Sequence, residues 1–328
     1  MSTEVILRAE GLTKTFPVKS SVLDRARGLP PKSVKALTEV SLEVKRGETL
    51  GIVGESGCGK STLARCLVRL YEADSGSIEY DGLNVLELQG NNLRAYNRRV
   101  QMVFQDPFSS LNPRMTVGQT LREAILVHRL RTPQQVPGRI RELLDLVGLP
   151  GDAQQRLPHE FSGGQRQRIG IARALSVEPE TLIADELVSA LDVSVQAQVV
   201  NLLLELQERL HLTVLFVAHD LRLVRHISHR VAVMYLGRVV ELAETEKLFS
   251  NPQHPYTQAL LRAAPEIDPA RKSVVEAVRG ELPSPLNPPP GCPFHPRCPV
   301  AVERCKQEVP ALVARGAEER LVACHLVE

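Results

Sequence analysis

The stretch ETLGIVGESGCGKSTLARCLVRL, residues 48–70, decides the fold. An apolar run, TLGIV, leads into a glycine-rich turn and then an amphipathic helix, which is the setting a phosphate-binding loop needs. Gly54, Gly59, Lys60 and Ser61 hold the fixed positions of G-x-x-x-x-G-K-[ST], and Gly57 adds flexibility between them. Glycines let the backbone curl so that N–H groups face phosphate oxygens, and the helix that follows presents its positive end. Lys60 is expected to reach the β and γ phosphates, and the Ser61 hydroxyl to ligate Mg²⁺. Glu55, Ser56 and Cys58 fill the variable positions and Thr62 follows, so the expected nucleotide-contacting segment is 54–62. A glycine-rich turn that fitted by chance would not bring strand, helix and every fixed residue with it.

A phosphate loop needs an acidic partner for metal and water, and TLIADE at 181–186 supplies one at the end of an apolar run. Asp185 is expected to orient Mg²⁺, and Glu186 to polarise the attacking water as general base. The same Asp-Glu pair on its own would read as a cap for the next segment. Between the two elements lies FSGGQRQRIGIARAL, residues 161–175. Ser162 ahead of a helix is an N-cap, and Ser-Gly-Gly there presents a hydroxyl and N–H groups to an anion.

Ser162, Gly163, Gly164 and Gln165 resemble the LSGGQ signature of ATP-binding cassette (ABC) ATPases, with Phe161 where Leu is usual. The resemblance implies roles for further residues. Gln105 in QMVFQDP resembles the Q-loop glutamine, which touches Mg²⁺ and water and senses the membrane partner. His219 in VLFVAHD resembles the switch histidine at the γ phosphate, Asp192 in SALD the D-loop aspartate, and Phe16 in LTKTFPVK the aromatic residue stacked on adenine. Leu187 stands where the family carries proline. Losing that fixed φ is expected to loosen the turn after Glu186, with hydrolysis retained.

The remainder of the chain bounds the function. Its 328 residues are 43% hydrophobic and 24% charged, ordinary values for a globular protein. Forty Lys and Arg against 38 Asp and Glu leave a net charge of +2, and aromatics are 4% with no Trp, which argues against a nucleic-acid partner. MSTEVILRAEGLTKTF lacks the form of a signal peptide, and no apolar run approaches the roughly 18 residues needed to span a bilayer, so a cytoplasmic location is expected. The resemblance implies an α/β P-loop cassette over 1–255, with a RecA-like core, an antiparallel β subdomain and a helical subdomain at about 108–160. Helix-period segments VGQTLREAILVHRL and GRIRELLDLVGL agree with the last of these. The polar loop 19–35, with five basic residues and one acidic, reads as a solvated surface loop or a contact with lipid headgroups.

After His219 the chain resembles the C-terminal extension of dipeptide and oligopeptide importer ATPase subunits, through HPYT and GCPFHPRCP, giving an expected second region at 256–328. The resemblance implies ATP-driven closure of two cassettes, two transmembrane permease subunits, an external solute-binding protein and a place on the cytoplasmic face of the membrane. Importers of nickel or another small solute share this architecture. A soluble ABC ATPase is the rival class, but the chain shows neither a second cassette nor a coiled-coil insertion. Seven prolines between Leu282 and Pro296 favour an extended path for the tail. Cys292, Cys298, Cys305 and Cys324 lack C-x-x-C spacing, and a reducing compartment disfavours disulfides. The resemblance favours a [4Fe–4S] cluster on these four thiols. Zinc, with His295 or His325 as possible ligands, and packed unliganded cysteines are the alternatives. Cys58 and Cys66 are assigned to packing.

Overall fold

Apolar runs flanked by glycine and charge become the strands of the structure, a computed structural model that describes residues 4–18, 32–106, 111–263, 280–314 and 320–327. Most of the loop 19–35 therefore lies outside the described residues. In chain order the strands are β1 (Val5–Pro17), β2 (Ser33–Lys45), β3 (Thr49–Val53), β4 (Ser75–Tyr80), β5 (Leu83–Asn84), β6 (Val100–Val103), β7 (Thr181–Asp185), β8 (Thr213–Val217), β9 (Arg230–Tyr235), β10 (Arg238–Glu244), β11 (Val313–Ala314) and β12 (Leu321–Val322). Every residue of β3, β7 and β8 is buried, as expected of parallel strands covered on both faces. Each Val, Leu or Ile so buried contributes about 1.5–3 kcal/mol.

The chain divides into two compact units. The first comprises residues 1–5, 44–49 and 87–218. In it β6, β7 and β8 run parallel, with Val103 opposite Ala184 and Asp185 opposite Val217. Helices Val117–Val127, Val136–Leu146 and Gly163–Leu175 pack on one another. Thr116 opens the first of these with a capping box to Gln119, and Leu121, Ile125, Leu143 and Leu144 face its core.

The second unit comprises residues 6–43, 50–86 and 219–328. It holds the antiparallel sheet β2-β1-β4-β5 and a run of strands in the order β11-β12-β10-β9-β3. β3 pairs parallel with β9, and β9, β10, β12 and β11 pair antiparallel in turn. The phosphate-loop helix Lys60–Leu67 and the cysteine-bearing tail belong to this same unit. Among the described residues no helix is long and apolar enough to cross a membrane.

Candidate nucleotide site

In the second unit the phosphate loop leaves β3 at Gly54 and enters its helix at Gly59. Two glycines are required by the approach of neighbouring backbone. Gly54 has φ 155°, and a Cβ there would fall 2.2 Å from the Met234 carbonyl oxygen; Gly59 has φ 108°, with a Cβ 2.3 Å from that of Ala36. The loop is pinned by Gly237 N–H, which donates to Cys58 O at 2.8 Å. No side chain caps the helix at Gly59, which leaves its N-terminal end suited to an anion. Lys60 is only 3% exposed, and its Nζ donates to Gly54 O at 2.8 Å and Glu55 O at 3.1 Å. Cys58 and Cys66 are buried, and burial raises both thiol pKa values, that of Cys66 to about 11, so both act as packing residues.

Phe16 stands at the end of β1, edge-on to Tyr71 at 5.3 Å, with Lys14 Nζ 5.5 Å from its ring centroid. Asp74 fixes this corner by accepting from Lys14 Nζ, Thr15 N and Thr15 Oγ1 at 2.9, 2.6 and 2.7 Å. His219 is exposed, and Asp220 beside it caps the helix Leu221–Ile227.

In the first unit Asp185 ends β7 almost fully buried, and Glu186 follows with φ 47°. A non-glycine residue in this region costs about 1–3 kcal/mol and marks a backbone held against its preference. Glu186 N–H donates to Val217 O at 2.9 Å, and its carbonyl accepts from Ser189 N at 3.2 Å and Ser189 Oγ at 3.1 Å. Ser189 Oγ also accepts from Gln105 Nε2 at 3.2 Å, which ties Gln105 to the Glu186 turn. The side chain of Leu187 is fully buried in the same turn. The local pattern of SALD gives Ser189 no role of its own. Its function as the link depends on a side-chain contact across 84 residues.

Ser162 caps Gly163–Leu175 in a capping box with Gln165, as the sequence suggests. Gly164 is crowded: a Cβ there would fall 2.3 Å from Val195 Cγ1. Phe161 is buried under the Arg156 guanidinium, 4.4 Å from its centroid. Asp192 caps the helix Val193–Leu210. Hydrogen bonds from Ser194 and the Val195 N–H hold its carboxyl below the usual range.

The tail is built around the histidine, proline and tyrosine at 254–256. Buried Glu241 accepts from the N–H groups of Gln253 and His254, both at 2.9 Å. His254 Nδ1 accepts from Tyr256 N–H at 3.0 Å, and complete burial pushes the imidazole pKa down to about 4, so the ring is neutral. Tyr235, Tyr256 and Phe294 stack within 4.6–5.4 Å of one another. The Tyr256 hydroxyl accepts from Glu55 N–H at 3.0 Å, and Arg297 grips the Glu55 carboxylate through both terminal nitrogens at 2.7 and 2.9 Å.

All four tail thiols are free of disulfides. Burial, and then the nearby charges of Cys305, Cys298 and Cys324, raise the Cys292 pKa to about 11. Cys292 N–H donates to Cys305 O at 2.8 Å. Cysteine sulfur suits a soft metal once deprotonated, whereas burial here favours the neutral thiol, and among the described residues no group of three or more His, Cys, Asp or Glu is arranged to hold one. The side-chain arrangement gives the expected [4Fe–4S] cluster no support. One ring nitrogen of His295 is bonded to Cys292 O at 2.9 Å and one of His325 to Glu308 O at 3.0 Å.

Comparison with known proteins agrees with this geometry. Residues 37–189 match the ABC transporter family and residues 240–305 the oligopeptide/dipeptide transporter C-terminal region. The oligopeptide transport ATP-binding protein AppF of Bacillus subtilis is 52% identical over 98% of this chain and 98% of its own length. The probable peptide ABC transporter ATP-binding protein y4tS of Sinorhizobium fredii is 52% identical over 99% of this chain and 90% of its own. The dimeric structure of MJ0796, a bacterial ABC transporter cassette, matches with a TM-score of 0.64 at 27% identity, over 73% of this chain and 99% of that one. Two family matches and 52% identity along nearly the whole length of such relatives settle the family: the chain is an ABC-type ATPase and belongs to the ABC transporter family, in its oligopeptide/dipeptide branch.

Proposed function

We infer that this chain binds and hydrolyses ATP to energise the import of peptides through a membrane ABC transporter. The observation that carries the reading is the match of residues 240–305 to the oligopeptide/dipeptide transporter C-terminal region. We assign the cassette to 1–255, with its helical subdomain at about 108–160, and the extension to 256–328. Within the cassette, the loop Gly54–Thr62 holds the phosphates through its backbone N–H groups, Lys60 and Ser61, and Phe16 stacks on adenine. Ser61, Gln105 and Asp185 would hold Mg²⁺, which when bound neutralises charge on the transferred phosphoryl group. Glu186 takes the proton of the attacking water, and His219 contacts the γ phosphate.

The Ser162, Gly163, Gly164 and Gln165 segment closes on ATP held by a second ATPase subunit, either another copy or a paralogue. ATP therefore favours the closed pair and hydrolysis releases it. Two transmembrane permease subunits receive that motion at the cytoplasmic face, and a solute-binding protein delivers cargo from outside. Co-reconstitution with two permease subunits and a solute-binding protein tests the reading: ATP loaded on the face carrying this chain should drive uptake of a labelled peptide mixture. Uptake of nickel or another small solute with no peptide transport would redirect the assignment, and ATP turnover indifferent to permeases would favour the soluble class.

For the tail we propose that Cys292, Cys298, Cys305 and Cys324 hold a [4Fe–4S] cluster as a staple. Four tail cysteines free of disulfides, in the segment that resembles the peptide-importer extension, motivate this, with zinc as the competing ligand. Anaerobic purification should return about four irons per chain with a visible charge-transfer band. Stoichiometric zinc, or protein free of metal, would exclude the cluster.

A further inference from the structure

The cysteine-bearing tail meets the phosphate loop at Glu55 from two sides. Tyr256 OH accepts from its backbone N–H, and Arg297 holds its carboxylate in a bidentate pair. Arg297 comes from 242 residues away and its side chain is 5% exposed, whereas that of Glu55 is 27% exposed. The guanidinium is itself fixed, since Nη1 donates to Tyr235 OH at 3.4 Å and its carbon lies 5.8 Å from the Tyr235 centroid. Glu55 O and Gly54 O are the acceptors that hold Lys60 Nζ.

Glu55 is an acid inside a loop whose ligand carries several negative charges. An unpaired carboxylate beside a polyphosphate is repulsive, and partial burial weakens the screening that would relieve it. A bidentate guanidinium cancels that charge and fixes its direction. We propose that Arg297 is a positioning residue for ATP, a cation supplied by the tail that neutralises Glu55 so the phosphate loop accepts a polyanion. This rests on reading Gly54–Thr62 as the nucleotide loop. It makes occupancy of that loop depend on the tail being docked, a link that neither the loop motif nor the tail motif contains alone.

The test is titration of the full-length chain with a fluorescent ATP analogue and Mg²⁺, comparing wild type with R297Q, R297K, E55Q and E55Q/R297Q. R297Q should weaken binding about tenfold, R297K by no more than about threefold, and E55Q/R297Q should return to within about twofold of wild type. E55Q alone, in which Arg297 is left in place, should bind at least as tightly as wild type. A purely structural role, tying the tail to Tyr235, would leave the double variant as weak as R297Q and would overturn the proposal. Wild-type binding by R297Q would overturn it too. Should R297Q fail to fold, E55Q still decides, because a loss of affinity of about threefold or more contradicts charge cancellation. Loss of the underlying loop reading is seen separately, as undiminished binding by a Lys60 variant.

Discussion

Replacing Glu186 with Gln is expected to lower ATP turnover by about 10²–10⁴-fold while leaving ATP affinity within about threefold of wild type. The expectation follows from how the residue is held. Its backbone carries the anchoring, with the N–H on Val217 O and the carbonyl on Ser189 N and Oγ. An isosteric amide leaves those bonds in place, and the left-handed turn at φ 47° with them. It removes only the capacity to accept a proton from water. Phosphate release by the assembled transporter, set beside nucleotide binding by the same preparation, separates the two effects. Turnover within tenfold of wild type would remove Glu186 as the general base. A parallel fall in affinity would instead mean that the substitution had collapsed the turn, which the Ser189 contacts argue against.

The parts of this site that were legible in sequence are those governed by local rules. β3, β7 and β8 read as strands because each is a short, mostly apolar run, and all their residues prove buried. Gly54 and Gly59 read as loop glycines from the G-x-x-x-x-G-K-[ST] spacing, and in the fold a carbonyl oxygen lies 2.2 and 2.3 Å from where each would carry a Cβ. Ser162 read as an N-cap and is one. What was not legible depends on distant side chains. Glu55 occupies a position that the motif leaves free, and nothing within a helical or strand period points to Arg297. The link from Gln105 through Ser189 to Glu186 likewise joins segments brought together by the parallel pairing of β6 and β7. The four cysteines illustrate the opposite limit. Their grouping was visible in the chain, but whether thiols converge as ligands depends on sulfur positions that spacing does not determine, and among the described residues no metal-holding group is formed. Chain order also hid that the tail packs in the unit that carries the phosphate loop.

The second large effect is expected at Lys60. Lys60→Met should weaken ATP binding by about 10²–10³-fold with little loss of thermal stability, because the two quantities respond to different terms. In the fold, the ammonium is almost wholly buried and donates to the Gly54 and Glu55 carbonyls, with the Cys58 sulfur 3.9 Å away. Removing it leaves two acceptors unpaired, at about 1–3 kcal/mol each. It also ends the desolvation of a buried cation, a penalty of several kcal/mol, and the methionine stem keeps most of the packing. The opposing terms are of similar size, so the midpoint of unfolding should move by only a few degrees. Toward ATP there is no such offset. The lysine is the loop's own positive charge, and the backbone N–H dipoles that remain cannot replace a full charge against the β and γ phosphates. Binding isotherms and melting curves on the same variant therefore test the assignment together. Weak binding with an intact melt is the expected result, whereas a melt lowered by ten degrees or more would make Lys60 chiefly a structural brace of the loop. Binding equal to wild type would mean that residues 54–62 do not hold the phosphates at all.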